Sequence, residues 1–356
     1  MSGMKRFGVI ACLAGIALLA SCASGGGTMM SPASPAAGGQ QGGREPEWTR
    51  TRVHPNYGTQ TYLVGVGQGN TRQAAELDAI RQLVNIFGVT VQADTRIADA
   101  FRGVEGGAGT YSTEQSNQIS LAAGMDNLIG AEIGDRWDDG RTAFYALAVL
   151  NRANATRTYT DMIRDNENQI ATLTNISAAE KNTFGGFSRF QFAAVLAERN
   201  ANYAAVVAET SGNRPQVTSA DDLKREAAGI ANSIPIGIRI SGDSNQLIQA
   251  AFAAAFTEIG FRTGGTNSRY VLNVTVAVSE TTHPNPQFKF AQMQLTANLT
   301  DTQGNNVLLP YSMNFREGGA NFGTASQTAF RVAVRQIGEE YADKVFGHLS
   351  NLLPKR

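Results

Sequence analysis

The chain is predicted to be α+β, with two sheet-and-helix (two-layer) domains joined by a helical hairpin and preceded by an apolar leader and a flexible tether. Three observations carry this. The 356 residues exceed the roughly 150 of one typical domain. No proline occurs between Pro55 and Pro215, and that stretch holds long segments at helical spacing. Short strands punctuated by turn residues run through its first part and again beyond Pro215.

The elements follow in order. Lys5 and Arg6 precede an uncharged, mostly apolar run from Phe7 to Ala20, and Leu19-Ala20-Ser21-Cys22 closes it. Such a run is too short for a permanent helix across about 30 Å of hydrocarbon and fits a cleaved signal peptide, residues 1–21. Residues 22–47 are Gly, Ser, Pro, Ala and Gln with almost no bulky apolar side chain. They are expected to form a flexible tether, whose roughly 25 residues would span about 25–30 Å.

Residues 48–153 read as the first α+β domain. Tyr62–Gly67 is a strand; Asn70 or Thr71 caps a helix with Ala74, Leu77, Ile80, Leu83, Val84 and Phe87 on one face, and Gly88 stops it. Val89–Ile97 reads as a strand, 103–109 as a Gly-rich loop, and Tyr111–Ala122 and Asn127–Trp137 as further strands. Asp138-Asp139-Gly140-Arg141 turns the chain into Thr142–Leu150. Residues 154–215 form the hairpin, Asn154–Thr174 and Phe187–Glu209. Alanine at many contact positions suits close packing there, and a stalk or subunit contact is the competing reading. Residues 221–356 follow the order β-α-β-β-β-α: Ile234–Ser241, a helix Asn245–Ile259 with Leu247, Ala251, Ala254, Ala255 and Ile259 inward, Tyr270–Ser279, Phe288–Thr300, Val307–Phe315, and a helix Thr324–Leu353 bearing Phe330, Val334, Ile337, Tyr341, Val345, Leu349 and Leu352.

Composition narrows function by exclusion. Thirty basic residues balance thirty acidic ones, with 2 Cys and 3 His; this argues against a nucleic-acid-binding surface, a disulfide scaffold or a dense zinc site. Removing residues 1–21 takes away Lys5 and Arg6 and leaves 28 basic against 30 acidic residues. Gly65-Val66-Gly67-Gln68-Gly69 departs from the dinucleotide fingerprint, since position 70 is Asn, so these glycines read as structural residues of a tight turn. His54, His283 and His348 are scattered. Asp138-Asp139 and Glu339-Glu340 are neighbours whose side chains diverge, which denies them an acid-base role. No catalytic residue, cofactor or metal site is expected.

Two resemblances add to this reading. Leu19-Ala20-Ser21-Cys22 resembles the lipobox of bacterial lipoproteins. That resemblance implies cleavage between Ser21 and Cys22, a diacylglycerol thioether on Cys22 and acylation of its amino group with chains such as palmitate. Ala23 where Asp would favour the inner membrane implies the periplasmic face of the outer membrane, with surface exposure left open. Tyr-Leu-Val-Gly-Val-Gly-Gln-Gly (62–69) and Trp-Asp-Asp-Gly-Arg-Thr-Ala-Phe-Tyr-Ala-Leu-Ala-Val-Leu-Asn-Arg (137–152) resemble the Lpp-twenty family of bacterial lipoproteins over about residues 50–155. The element order of 221–356 resembles the N-terminal domain of TolB, the periplasmic part of CsgG and the middle domain of the flagellar protein FlgT. Together these imply a non-enzymatic scaffold or adaptor in cell-envelope or flagellar and appendage assembly. The implied contacts are the membrane through the lipid, envelope or flagellar assembly proteins, and further copies of the chain. The alternatives are a CsgG-like export-pore subunit and an activator of a peptidoglycan-synthesis enzyme.

Overall fold

Thr71 holds extended backbone and its hydroxyl accepts the Ala74 amide at 3.1 Å, so the helix α2 (Arg72–Asn85) starts where a capping residue permits it. In the computed structural model, described over residues 40–41, 44–88, 128–265, 267–281 and 289–354, α2 covers one face of a sheet. That sheet has the order β1-β3-β4-β2, from β1 (Gln40–Gln41), β2 (Tyr62–Gly69), β3 (Ala131–Asp138) and β4 (Phe144–Asn151). β1 runs parallel to β3, while β3 and β2 flank β4 antiparallel. A short helix α1 (Trp48–Thr51) packs on the opposite face. The leader 1–21, Cys22, the strands expected at Val89–Ile97 and Tyr111–Ala122, the loop 103–109 and His283 lie outside the described residues.

The turn between β3 and β4 shows why Asp-Asp-Gly suits it. The Asp139 carboxylate accepts the amides of Arg141, Thr142 and Ala143 at 2.8–3.0 Å, Asp138 accepts Gly140 N–H at 3.0 Å, and Gly140 takes φ +71°. The Ala143 amide and its neighbours hold the Asp139 carboxyl below the ordinary carboxylate range.

α3 (Arg152–Thr174) follows β4 directly, capped by the Asn151 side chain. α4 (Ala178–Lys181) turns the chain into α5 (Phe184–Ser211), whose C-cap Gly212 has φ +80°. α5 serves two cores. Its second half places Tyr203, Ala204, Val206 and Val207 with α2, β4 and α3. Its first half places Phe184, Phe187, Phe190 and Leu196 with the C-terminal elements, where Phe184 stacks on Tyr270 at 3.8 Å between ring centroids.

The C-terminal sheet has the order β5-β6-β7-β8, from β5 (Ile236–Ser241), β6 (Tyr270–Thr281), β7 (Lys289–Asp301) and β8 (Asn306–Gly319). β5 pairs parallel with β6, and the other two pairs are antiparallel. α7 (Leu247–Ile259) and α8 (Phe322–Ser350) supply one covering layer, and from β5 onward the elements run β-α-β-β-β-α. The overall class is α+β with two sheets, as expected.

Four details differ from expectation. A helix not read from the sequence, α6 (Ala220–Ser233), joins the C-terminal core through Leu223, Ala227, Ile230 and Ala231. On α2 the sheet-facing alanines are Ala75 and Ala79, while Ala74 and Leu77 are only half-buried. On α7, Leu247 is 44% exposed and Ala254 is exposed; the buried stripe runs through Ile248, Phe252 and Phe256 because the bulkiest apolar side chains set the inward face. On α8 the innermost early residues are Ala329 and Ala333, with Phe330 and Val334 half-buried and Leu352 exposed; small side chains bring that helix close to the sheet.

Candidate functional site

The residues with the strongest sequence signal, Ser21 and Cys22, lie outside the described residues. The glycine run lies inside them, and its role differs from a turn. Gly65, Gly67 and Gly69 all sit within β2 and face α2. A Cβ on Gly65 would lie 2.7 Å from the Leu83 amide nitrogen, one on Gly67 2.7 Å from the Ala79 Cα, and one on Gly69 2.6 Å from the Ala75 amide nitrogen. Three glycines on one face of a strand therefore let the backbone of a helix rest on the backbone of a sheet. The turn reading is corrected, and helix and strand occupy the space that a phosphate would need.

The two described histidines are structural in different ways. His54 is buried at 7% exposure; its Nδ1 accepts the Asn56 amide and its Nε2 lies 3.1 Å from Asp135 Oδ2. With Nδ1 accepting, the neutral ring donates from Nε2 to the carboxylate. This pair pins the segment after α1 to β3, beside a cluster of Trp48, Trp137, Leu147 and Val149. His348, on the last turn of α8, has a buried Nε2 with no described partner, and burial pushes its pKa below the ordinary value. Of the adjacent carboxylates, Asp138 and Asp139 hold the turn, and Glu340 accepts Gln336 Nε2 at 3.1 Å.

A shallow groove of about 760 Å³ runs beside the start of α3. Its polar groups largely serve each other. Arg152 donates from Nε to the Thr59 carbonyl at 3.0 Å and from a terminal nitrogen to the Glu209 carbonyl at 2.6 Å, and the Thr156 hydroxyl donates to that of Thr210 at 2.9 Å. Arg157 and Asp161 also line the groove, which therefore carries two arginines and one carboxylate.

Sequence reasoning also missed a buried polar node between α3, α5 and the entry to α6. Asn200, fully buried, donates to Glu167 at 2.9 Å and accepts from Asn166 at 2.8 Å. Glu167 also accepts the Thr218 amide at 3.1 Å and hydroxyl at 2.5 Å. Burial pushes the Glu167 pKa up, but the hydrogen bonds from Thr218 and Asn200 outweigh it, and the carboxyl ends below its ordinary value. Nothing local marks these residues. For α6 a signal did exist: Ser219 as cap, Asp221 and Asp222 in the first turn, then apolar residues three and four apart.

Among the described residues no three His, Cys, Asp or Glu side chains gather as a metal site, and no described helix is long and apolar enough to cross a membrane.

Fold and site together define a two-sheet α+β protein held by structural glycines, turns and buried polar clamps. Residues 46–151 match the LPP20 lipoprotein family, which agrees with the resemblance carried by residues 62–69 and 137–152. The match ends at residue 151, and the resemblance expected for residues 221–356 to TolB, CsgG and FlgT domains is not shown. No curated protein matches the chain. Among solved structures, it is similar to a secreted protein of Helicobacter pylori at 14% identity and TM-score 0.39, over 78% of this chain and 97% of that one. It is also similar to a minor lipoprotein of Acinetobacter baumannii (18%, TM-score 0.25, 35% and 96% covered) and to the PelC dodecamer of Paraburkholderia phytofirmans (17%, TM-score 0.24, 32% and 88% covered). These likenesses are too distant to carry a function across.

Proposed function

We propose that this chain is a lipid-anchored envelope protein, fixed through acylated Cys22 to the periplasmic face of the outer membrane. It acts there as a non-enzymatic scaffold or adaptor in cell-envelope or flagellar and appendage assembly. The observation that carries the reading is the pairing of Leu19-Ala20-Ser21-Cys22 with the lipoprotein-family match that begins at residue 46. Residues 23–39 lie between Cys22 and β1, and a flexible segment of that length would reach about 20–25 Å. Several acyl chains on one residue hold firmly where a single chain is marginal, each buried methylene contributing about 0.8 kcal/mol. The polar clamps support a scaffold, because their side chains hold backbone in place.

Cells fed radiolabelled palmitate should yield labelled wild-type protein in the outer-membrane fraction and an unlabelled Cys22→Ala variant released from it. Label on the variant would overturn the anchor. Mild crosslinking followed by purification should then recover envelope or appendage assembly proteins with the wild-type chain; recovery of none would overturn the adaptor role.

A further inference from the structure

The groove beside the start of α3 holds more positive charge than its own residues neutralise. Thr156, Arg157, Thr160 and Asp161 line it from α3, at the three- and four-residue spacing that puts side chains on one helix face. Arg152 lines it from the first position of that helix. The Thr59 and Glu209 carbonyls hold its guanidinium; these neutral acceptors fix its orientation and leave its charge uncompensated. Its second terminal nitrogen has no partner among the described residues. Arg157 is exposed and donates to the Asn154 side-chain oxygen at 3.3 Å, again a neutral acceptor. The carboxylate of Asp161 is engaged at 2.9 Å by Arg164, which does not line the groove. Two guanidiniums thus face one space with no carboxylate paired to either.

Guanidinium forks match the oxygens of a phosphate group, and the hydrogen bonds between them are charge-assisted. A phosphate monoester carries about −1.5 to −2 charge at pH 7 and answers both arginines, where a single carboxylate answers one. The threonine hydroxyls and the amide of Gln60, which also lines the groove, can donate to further oxygens. At about 760 Å³ the groove is of the size of small-molecule sites, roughly 300–1,000 Å³. A bare phosphate ion fills little of that space, so the rest of the ligand is organic and polar. The start of α3 adds the positive end of a helix dipole, and Arg152 covers the Glu209 carbonyl near the negative end of α5. We propose that this groove binds an organic phosphate monoester through Arg152 and Arg157. The site goes beyond the anchored-scaffold reading and does not depend on it.

The test has two arms. Isothermal titration calorimetry of the full chain in detergent uses ribose 5-phosphate, ribose and inorganic phosphate. Ribose 5-phosphate should bind saturably, inorganic phosphate more weakly, and ribose not at all. Arg157→Gln should weaken ribose 5-phosphate about tenfold, which is about 1.4 kcal/mol, with its thermal midpoint unchanged. Asp161→Asn removes the groove's carboxylate and should tighten binding, a gain that a damaged fold would not produce. Arg141→Gln, at the exposed β3–β4 turn, makes the same change in net charge as Arg157→Gln and should bind as wild type. The second arm is flotation of the Cys22→Ala chain, without detergent, on vesicles of phosphatidylcholine with or without phosphatidic acid. Flotation that needs phosphatidic acid and Arg157 would place the monoester on a lipid; calorimetric binding without flotation would place it on a soluble molecule. Failure in both arms, binding of ribose equal to its phosphate, or binding that Arg157→Gln leaves unchanged would overturn the proposal.

Discussion

Asn200 and Glu167 show how one buried residue can hold three elements. The Asn200 amide donates to Glu167 and to the Ile163 carbonyl of α3, and Thr218 closes the node from the segment that leads into α6. Removing the Asn200 side chain leaves the half-buried Asn166 and Glu167 each short of a partner. Asn200→Ala is therefore expected to cost about 2–3 kcal/mol, read from urea unfolding. The node also sets a pH dependence. Glu167 has a folded pKa below its unfolded one, so its contribution is fully present above about 4.5 and is lost as pH falls through the folded value. His348 acts the same way in a higher window: the folded protein resists charging a buried imidazole, so stability falls once pH drops below its ordinary 6.5. Thermal midpoints recorded from pH 8 to pH 3 should show Glu167→Gln flattening the curve below pH 5 and His348→Gln flattening it between pH 6.5 and pH 5. Profiles parallel to wild type would refute both assignments.

At the scale of elements, α2 rests on β2 backbone against backbone, and the contact depends on the absence of side chains. A methyl group on Gly67 would meet the Ala79 backbone directly, so Gly67→Ala must push α2 off the sheet or break the strand. The expected loss is about 3 kcal/mol or more, measured by chemical denaturation; a loss below about 1 kcal/mol would mean that the helix sits further from the strand. This contact also marks how far the sequence could be read. The existence of strand and helix followed from alternation and from Thr71, and the lipoprotein resemblance came from the same strand. The purpose of the glycines did not, because nothing in a strand states which helix residues will lie against it. The helix stripes were offset for a similar reason. Ala74 and Leu77 fit a helical period as well as Ala75 and Ala79 do, and only the approach of Gly67 selects the latter. Gly134 was equally out of reach: it lies at an irregularity in β3 beneath the Tyr57 ring, whose hydroxyl donates to its carbonyl across 77 positions of chain.

Over the whole molecule, α5 decides whether the two sheets behave as separate bodies. Its first half is buried with β5–β8, α7 and α8, and its second half with β2–β4, α2 and α3. A helix is cooperative along its length, so melting either half exposes apolar surface in the other module. The coupling can be measured because the chain has 2 Trp, Trp48 and Trp137, both buried beside β4 in the N-terminal module, whereas far-ultraviolet circular dichroism reports all helices and strands. Fluorescence and dichroism should trace one urea transition with the same midpoint. Phe187, on the first half of α5, packs on Phe261 at 4.7 Å between ring centroids, within the C-terminal core and away from both tryptophans. Phe187→Ala should cost about 3–5 kcal/mol as a buried aromatic truncation and should move the fluorescence midpoint together with the dichroism midpoint. Two separated transitions in the variant, with fluorescence holding its wild-type midpoint, would show that α5 frays between the cores and that the modules unfold independently.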